Sequence, residues 1–164
     1  MTALLKPEPL TAEGFAPFGR VISCDVGDGF PINDGHAQRF DALATVDVGD
    51  GEAVLSIFRG TPWPTPTRIG MLERHPRGSQ AFVPMERHSW LVVVAAHPEP
   101  SACRAFLARG DQGIQIATGV WHHPLLVLQP MHDFLVVDRR GPGENLEEVH
   151  FADEAAPVLA SPYS

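Results

Sequence analysis

Cysteine is scarce in this chain: Cys24 and Cys103 are the only two in 164 residues. Neither has a neighbour at Cys-x-x-Cys spacing, which excludes a disulfide framework and leaves two reduced, inert thiols as the expectation. Long apolar runs are missing as well. The longest, Trp90 to Ala96, falls far below the roughly 20 residues that a bilayer span requires. Residues Met1 to Phe15 carry Pro7 and Pro9 but no apolar segment of the signal-peptide kind, so the expected location is cytoplasmic. Basic residues are outnumbered, 12 Lys and Arg against 20 Asp and Glu, for a formal net charge of -8. That balance repels phosphate backbones and anionic lipid, so neither nucleic acid nor a membrane is an expected partner. A small anionic substrate stays open, because a few arginines converging in a cleft outweigh the global charge at short range.

Helical periodicity is lacking too, since no stretch holds a 3.6-residue apolar period for three turns. What the chain does have is 16 prolines and 15 glycines, distributed between short apolar runs. Those runs are Ala53–Phe58, Ala81–Val83, Leu91–Val94, Ala105–Leu107, Leu125–Leu128 and Phe134–Val137, with Arg20–Ser23 before them. Connectors such as Gly60–Pro66 and His97–Pro100 break the pattern with prolines, which cannot donate to a sheet ladder. The expectation is one all-β sandwich or barrel over residues 1–164. A helix N-capped by Thr11 and stopped by Pro17 is limited to about two turns. Asp25–Gly35 reads as a loop, and the acidic tail from Gly141 either wraps the barrel or frays.

Two polar clusters interrupt these runs. In Glu73-Arg74-His75-Pro76-Arg77-Gly78-Ser79-Gln80, residues two apart on a strand share a face, so Glu73 and His75 point together. The Pro-Arg-Gly-Ser turn then returns the chain to Gln80 on a neighbouring strand. The second cluster is Ala117-Thr118-Gly119-Val120-Trp121-His122-His123-Pro124. Together they resemble the two motifs of a cupin, with Glu73 in place of the first His, Gln80 in place of the Glu, and Ala117 in place of the Pro. This resemblance implies a cupin-type β-barrel, a double-stranded β-helix with short flanking helical segments, and a candidate ligand set of Glu73, His75, Gln80 and His122. A neutral Gln80 lowers the ligand charge, so the site holds a divalent metal loosely or holds none. The plain alternative makes Glu73 and Gln80 hydrogen-bonded groups of the barrel mouth.

The longer pattern Glu73-Arg74-His75-Pro76 through Gln80-Ala81-Phe82-Val83-Pro84-Met85, with Val120-Trp121-His122-His123-Pro124-Leu125, resembles the ureidoglycolate lyase family. Agreement extends from Phe18-Gly19 through Ile32-Asn33-Asp34-Gly35, Arg39, Arg59 and Arg104 to Asp133 and Asp138-Arg139. The resemblance implies a homodimeric enzyme of allantoin degradation that cleaves ureidoglycolate to glyoxylate and urea. Its cofactor would be nickel or another divalent metal.

The substrate carbon bears a hydroxyl, a carboxylate and a urea nitrogen, so cleavage needs a base, a cation and an acid. His75 or His122 is expected as the base. Arg39, Arg59, Arg74 and Arg139 are the candidates for the carboxylate, with Arg59 and Arg74 preferred because they adjoin β runs. Gln80 either ligates metal or hydrogen-bonds the urea carbonyl, and Asn33 reaches the urea amide from its loop. Trp121 offers an apolar wall. His123 faces away from His122 on an extended segment, or becomes a rival base if the chain bends there. Two other readings remain: a non-catalytic or different-substrate cupin that binds a small carboxylate, and an amidohydrolase that releases ammonia from the urea group.

Overall fold

The computed structural model describes residues 2–163. It is 43% strand and 6% helix, as the all-β expectation requires. One sheet runs in the order β15 (Glu147–His150), β7 (Met71–Arg74), β12 (Trp121–His122), β9 (Trp90–Ala95), β10 (Cys103–Ala108), β2 (Pro7–Pro9), and β13 (Leu126–Val127) also pairs with β9. The other runs β3 (Gly19–Ile22), β11 (Gly113–Ile116), β8 (Gln80–Pro84), β14 (His132–Arg140), β6 (Glu52–Gly60). Most pairings are antiparallel; β2 lies parallel to β10.

The unbroken apolar run of β9 follows from its position. Trp90, Val92 and Val94 enter a core shared with Phe82, Ile114, Phe134 and Val136 of the other sheet. Leu91, Val93 and Ala95 enter a second core on the outer face. A strand buried on both faces has no solvent side, so its sequence cannot alternate. The outer core is covered by Leu5, Val149, Phe151 and Leu159, from the two ends of the chain, where β1 (Leu4–Leu5) lies parallel to β16 (Val158–Leu159). The acidic tail therefore wraps the molecule.

Helix α1 (Ala12–Phe15) is shorter than expected, although Thr11 does cap it by accepting from the Gly14 N–H at 3.0 Å. Its purpose in the fold is Phe15, fully buried against Phe18 and Phe106, a burial that stabilises by about 2 kcal/mol. The expected loop of Asp25–Gly35 contains a strand, because β4 (Phe30–Ile32) pairs with β5 (Ala37–Arg39) as a hairpin. Its turn passes through left-handed backbone at Asn33 and Asp34, with φ of 51 and 57, a conformation these residue types tolerate. Burial pushes the Cys103 thiol up to about 11, which keeps that sulfur protonated and unreactive. Among the described residues no helix is long and apolar enough to cross a membrane.

Candidate functional site

The pairing of β7 with β12 sets Glu73 across from His122. Strand alternation then turns Glu73 and His75 inward together and sends Leu72 and Arg74 to the outer face. Before His122 the chain turns at Gly119, whose φ of +78 suits glycine. That turn is pinned by the Gly119 N–H donating to the His75 carbonyl at 2.9 Å. The imidazoles of His75 and His122 end with ring centroids 5.2 Å apart.

Both rings have a fixed proton. His75 Nδ1 lies 2.8 Å from the Asn145 carbonyl, and His122 Nδ1 lies 3.0 Å from the Val120 carbonyl. A carbonyl only accepts, so each Nδ1 carries the hydrogen and each Nε2 is left as a lone pair. Both Nε2 atoms are buried, and among the described residues nothing bonds to them. His122 Nε2 faces Glu73 Oε1 at 3.6 Å. The Glu73 carboxyl is held below the usual carboxylate range, chiefly by His122. Two acceptors facing each other across that distance call for a cation between them, either a proton on His122 or a metal ion.

The ligand atoms of Glu73, His75 and His122 lie within 4.8 Å of one another. Two imidazole lone pairs and a carboxylate, with both rings oriented by main-chain carbonyls, are a fitting donor set for a divalent transition metal. The residues present can therefore hold such an ion, and Gln80 lies on the same cleft.

That cleft, of about 360 Å³, is lined by Glu73, Gln80, Phe58, Phe82, Arg59 and Trp63, among others. The Arg59 side chain is 60% exposed and forms two hydrogen bonds to Asp133, at 2.8 and 2.9 Å. These use Nε and one hydrogen of Nη2, so the Nη1 end stays available to an anion. Gln80 is buried, and its Nε2 donates to Asp138 at 3.2 Å.

The other candidates lie elsewhere. Arg74 bonds Glu147 at 2.7 Å and its guanidinium stacks on Trp121, 4.7 Å from the ring centroid. Trp121 itself belongs to the outer core. The alternation that brings Glu73 and His122 inward turns both of these neighbours outward. Arg39 is exposed and paired with Asp41. Arg139 is buried and ties down a loop through the Val48 and Pro142 carbonyls and Asp50. Asn33 sits at the exposed tip of the hairpin.

His123 does not face away. Its ring meets Trp63, which lines the cleft, edge-on at 4.9 Å, and its Nδ1 lies 2.8 Å from the Pro124 carbonyl. The chain bends after β12, so strand alternation stops at His122. Burial lowers the His123 pKa and favours the neutral ring. Sequence reading missed Trp63, Asn145 and Asp138 as parts of this neighbourhood. The proline-flanked Trp63 was visible as a connector, but nothing local marks Asn145 or Asp138.

A family model described as ureidoglycolate lyase matches residues 2–158. A ureidoglycolate lyase of Pseudomonas savastanoi pv. phaseolicola is 50% identical over 93% of this chain and 92% of its own. One from Pseudomonas paraeruginosa is 50% identical over 98% of this chain and 97% of its own. Ureidoglycolate lyase 1 of Rhizobium meliloti is 50% identical over 100% of this chain and 98% of its own. Among solved structures, an oxalate decarboxylase of Lactobacillus farciminis in complex with formate aligns with 89% of this chain and 33% of its own, at 17% identity and a TM-score of 0.37.

Proposed function

The chain belongs to the ureidoglycolate lyase family, and from that premise we propose that it cleaves ureidoglycolate to glyoxylate and urea at the cleft lined by Glu73, Gln80 and Arg59, with His75 and His122 beside Glu73. The observation that carries the reading is the pair of buried Nε2 lone pairs beside a carboxylate. An imidazole in that state takes the substrate hydroxyl proton, and the adjacent Glu73 carboxylate stabilises the imidazolium that forms. The hydroxyl oxygen then forms the aldehyde carbonyl as the carbon–nitrogen bond breaks and its electron pair leaves with the urea nitrogen. His122 returns the proton to that nitrogen, so the step consumes no other reagent. Arg59, through its Nη1 end, holds the substrate carboxylate. Gln80 contacts the ureido group, and Trp63 and His123 close the cleft against water.

The same Nε2 lone pairs of His75 and His122, with the Glu73 carboxylate, would hold a divalent ion, nickel by family analogy; bound there, it would polarise the substrate hydroxyl in place of the base role of His122. Gln80 is the candidate for a fourth ligand.

The finer expectations follow the same reading: one cupin-type domain, acting in the cytoplasm in allantoin degradation, and a homodimer. For the dimer, the outer face of the second sheet exposes Leu55 (71%) and Ile57 (53%), opposite Val137 and Leu135. Isolated apolar side chains are ordinary on a surface, whereas a contiguous strand pair of them suits burial against a second copy. Light scattering of wild type and Leu55→Lys tests it, and a monomeric wild type ends that reading.

Proton NMR with racemic ureidoglycolate tests the activity. Accelerated appearance of glyoxylate and intact urea is expected. Ammonia in place of urea would make the protein an amidohydrolase, and no acceleration with or without added nickel would leave a binding protein for a small carboxylate.

A further inference from the structure

Gln80 bears an amide, whose two ends differ chemically: the oxygen only accepts and the nitrogen only donates. Which end meets the cleft decides which part of a ligand it recognises. The fold answers this through a residue on another strand.

In the second sheet, the register pairs Val136 with Phe82 and Val137 with Ala81, which sets Asp138 across from Gln80. Phe134 and Val136 are fully buried in the inner core, and alternation carries Asp138 to that same inner face. Its carboxylate Oδ2 lies 3.2 Å from Gln80 Nε2. A carboxylate cannot donate, so the amide nitrogen is obliged to face Asp138 and the amide oxygen is turned the other way. Among the described residues no donor reaches Gln80 Oε1, and that atom is not sealed among the buried, unbonded ones. Gln80 lines the cleft with Glu73 and Arg59.

We propose that Asp138 is a positioning residue that turns the Gln80 amide so that its oxygen faces the cleft and accepts a hydrogen bond from a ureido N–H of the ligand. This rests on the lyase reading above, and it reverses the sequence expectation that Gln80 bonds the urea carbonyl. The recognition it gives is for the urea half of the molecule, complementary to Arg59 on the carboxylate half. A ligand that offers only oxygen acceptors meets the wrong end of the amide and leaves Oε1 unbonded.

The test uses the full-length protein and four forms: wild type, Asp138→Asn, Gln80→Glu and the double variant Gln80→Glu/Asp138→Asn. The asparagine accepts either orientation of Gln80, so the lock is lost at almost constant shape. KM for ureidoglycolate and the inhibition constant of urea should both rise about tenfold, the usual cost of losing a hydrogen bond oriented by a charge. The inhibition constant of glyoxylate, which has no N–H, should stay within about twofold. Gln80→Glu sets two carboxylates against each other, and adding Asp138→Asn restores a donor facing an acceptor. The double variant should therefore recover about tenfold in kcat/KM over Gln80→Glu alone, a coupling that independent structural damage does not produce. Thermal denaturation checks that each form is folded.

A folded Asp138→Asn with wild-type KM and wild-type urea inhibition overturns the proposal. So does a parallel rise of the urea and glyoxylate constants, or a double variant no better than Gln80→Glu. Those results differ from failure of the lyase reading, in which the wild type itself does not turn over ureidoglycolate and the ureido ligand falls with it.

Discussion

The molecule contains two histidine pairs of similar separation and opposite character. His75 and His122 have ring centroids 5.2 Å apart; His88 and His132 have theirs 5.5 Å apart. Both pairs include buried nitrogens with no hydrogen-bond partner. In the first pair each Nδ1 is committed to a main-chain carbonyl, which leaves a single Nε2 lone pair on each ring beside the Glu73 carboxylate. In the second, neither nitrogen of His132 is bonded, and the ring lies against Phe134 at 4.4 Å. Among the described residues only the first pair belongs to a group with metal-ligand proximity. Buried imidazole is therefore not itself a sign of chemistry. What distinguishes a site is a proton position fixed by one partner and a charge waiting at the other nitrogen.

The largest effect should come from the first pair. His122→Asn keeps size and polarity but removes the proton acceptor, and kcat should fall roughly a thousandfold, the scale of a general base. The equivalent change in the second pair, His88→Asn, should leave kcat within about twofold, as remote surface changes usually do. Steady-state assays of both variants settle the matter, and equal losses would dissolve the distinction. Metal binding sharpens it further. Nickel titrated calorimetrically into wild type should report one site, weakened about a hundredfold or more in Glu73→Gln by loss of the charged ligand and unchanged in His88→Asn. Retention of the site in Glu73→Gln would remove that carboxylate from the ligand set.

Next in size is Arg59, which connects the two regions, since it lines the cleft and bonds Asp133, the neighbour of His132. Arg59→Ala should raise KM by about tenfold to a hundredfold by removing a charged hydrogen bond to the substrate carboxylate, with kcat changed far less. Arg74→Ala, on the outer face, should leave KM unaltered. If the two exchanged behaviour, the cleft would be wrongly placed.

How far this contrast was legible in the sequence varies residue by residue. Glu73 and His75 were readable because a two-residue period survives in any strand, and the return to Gln80 was readable because the turn is short. The same period places Arg74 and Trp121 on the face opposite to Glu73 and His122, a consequence that adjacency to a β run does not reveal. Most apolar runs became strands, whereas β11 went unread because Gln115 interrupts a segment of only four residues. Asp138 and Asn145 were out of reach for a different reason. They meet Gln80 and His75 across 58 and 70 residues of chain, through a register that only the assembled sheets define. His123 needed a bend after His122 that depends on the neighbouring β9, whose Val93 carbonyl accepts from its N–H at 2.9 Å.

The smallest expected effect concerns stability and isolates the second pair. His132 is fully buried, and burial lowers its pKa from the ordinary 6.5. His88 acts in the same direction, while the Glu86 main chain and the charges of Glu86 and Asp133 pull the other way. The unfolded chain therefore binds a proton at this position that the folded chain refuses, so stability is lost as pH falls through 6.5 toward the depressed value. His132→Phe removes that liability and also two buried, unbonded nitrogens, so near pH 8 its stability should lie within about 1 kcal/mol of wild type. Below pH 6.5 the variant should become progressively the more stable of the two. Some acid sensitivity should persist in both, because burial also depresses His123. Melting temperatures recorded from pH 8 to pH 5 provide the comparison. Curves that stay parallel throughout would show that His132 takes up its proton in the folded state as readily as in the unfolded one, and the two histidine pairs would then differ in their neighbours alone.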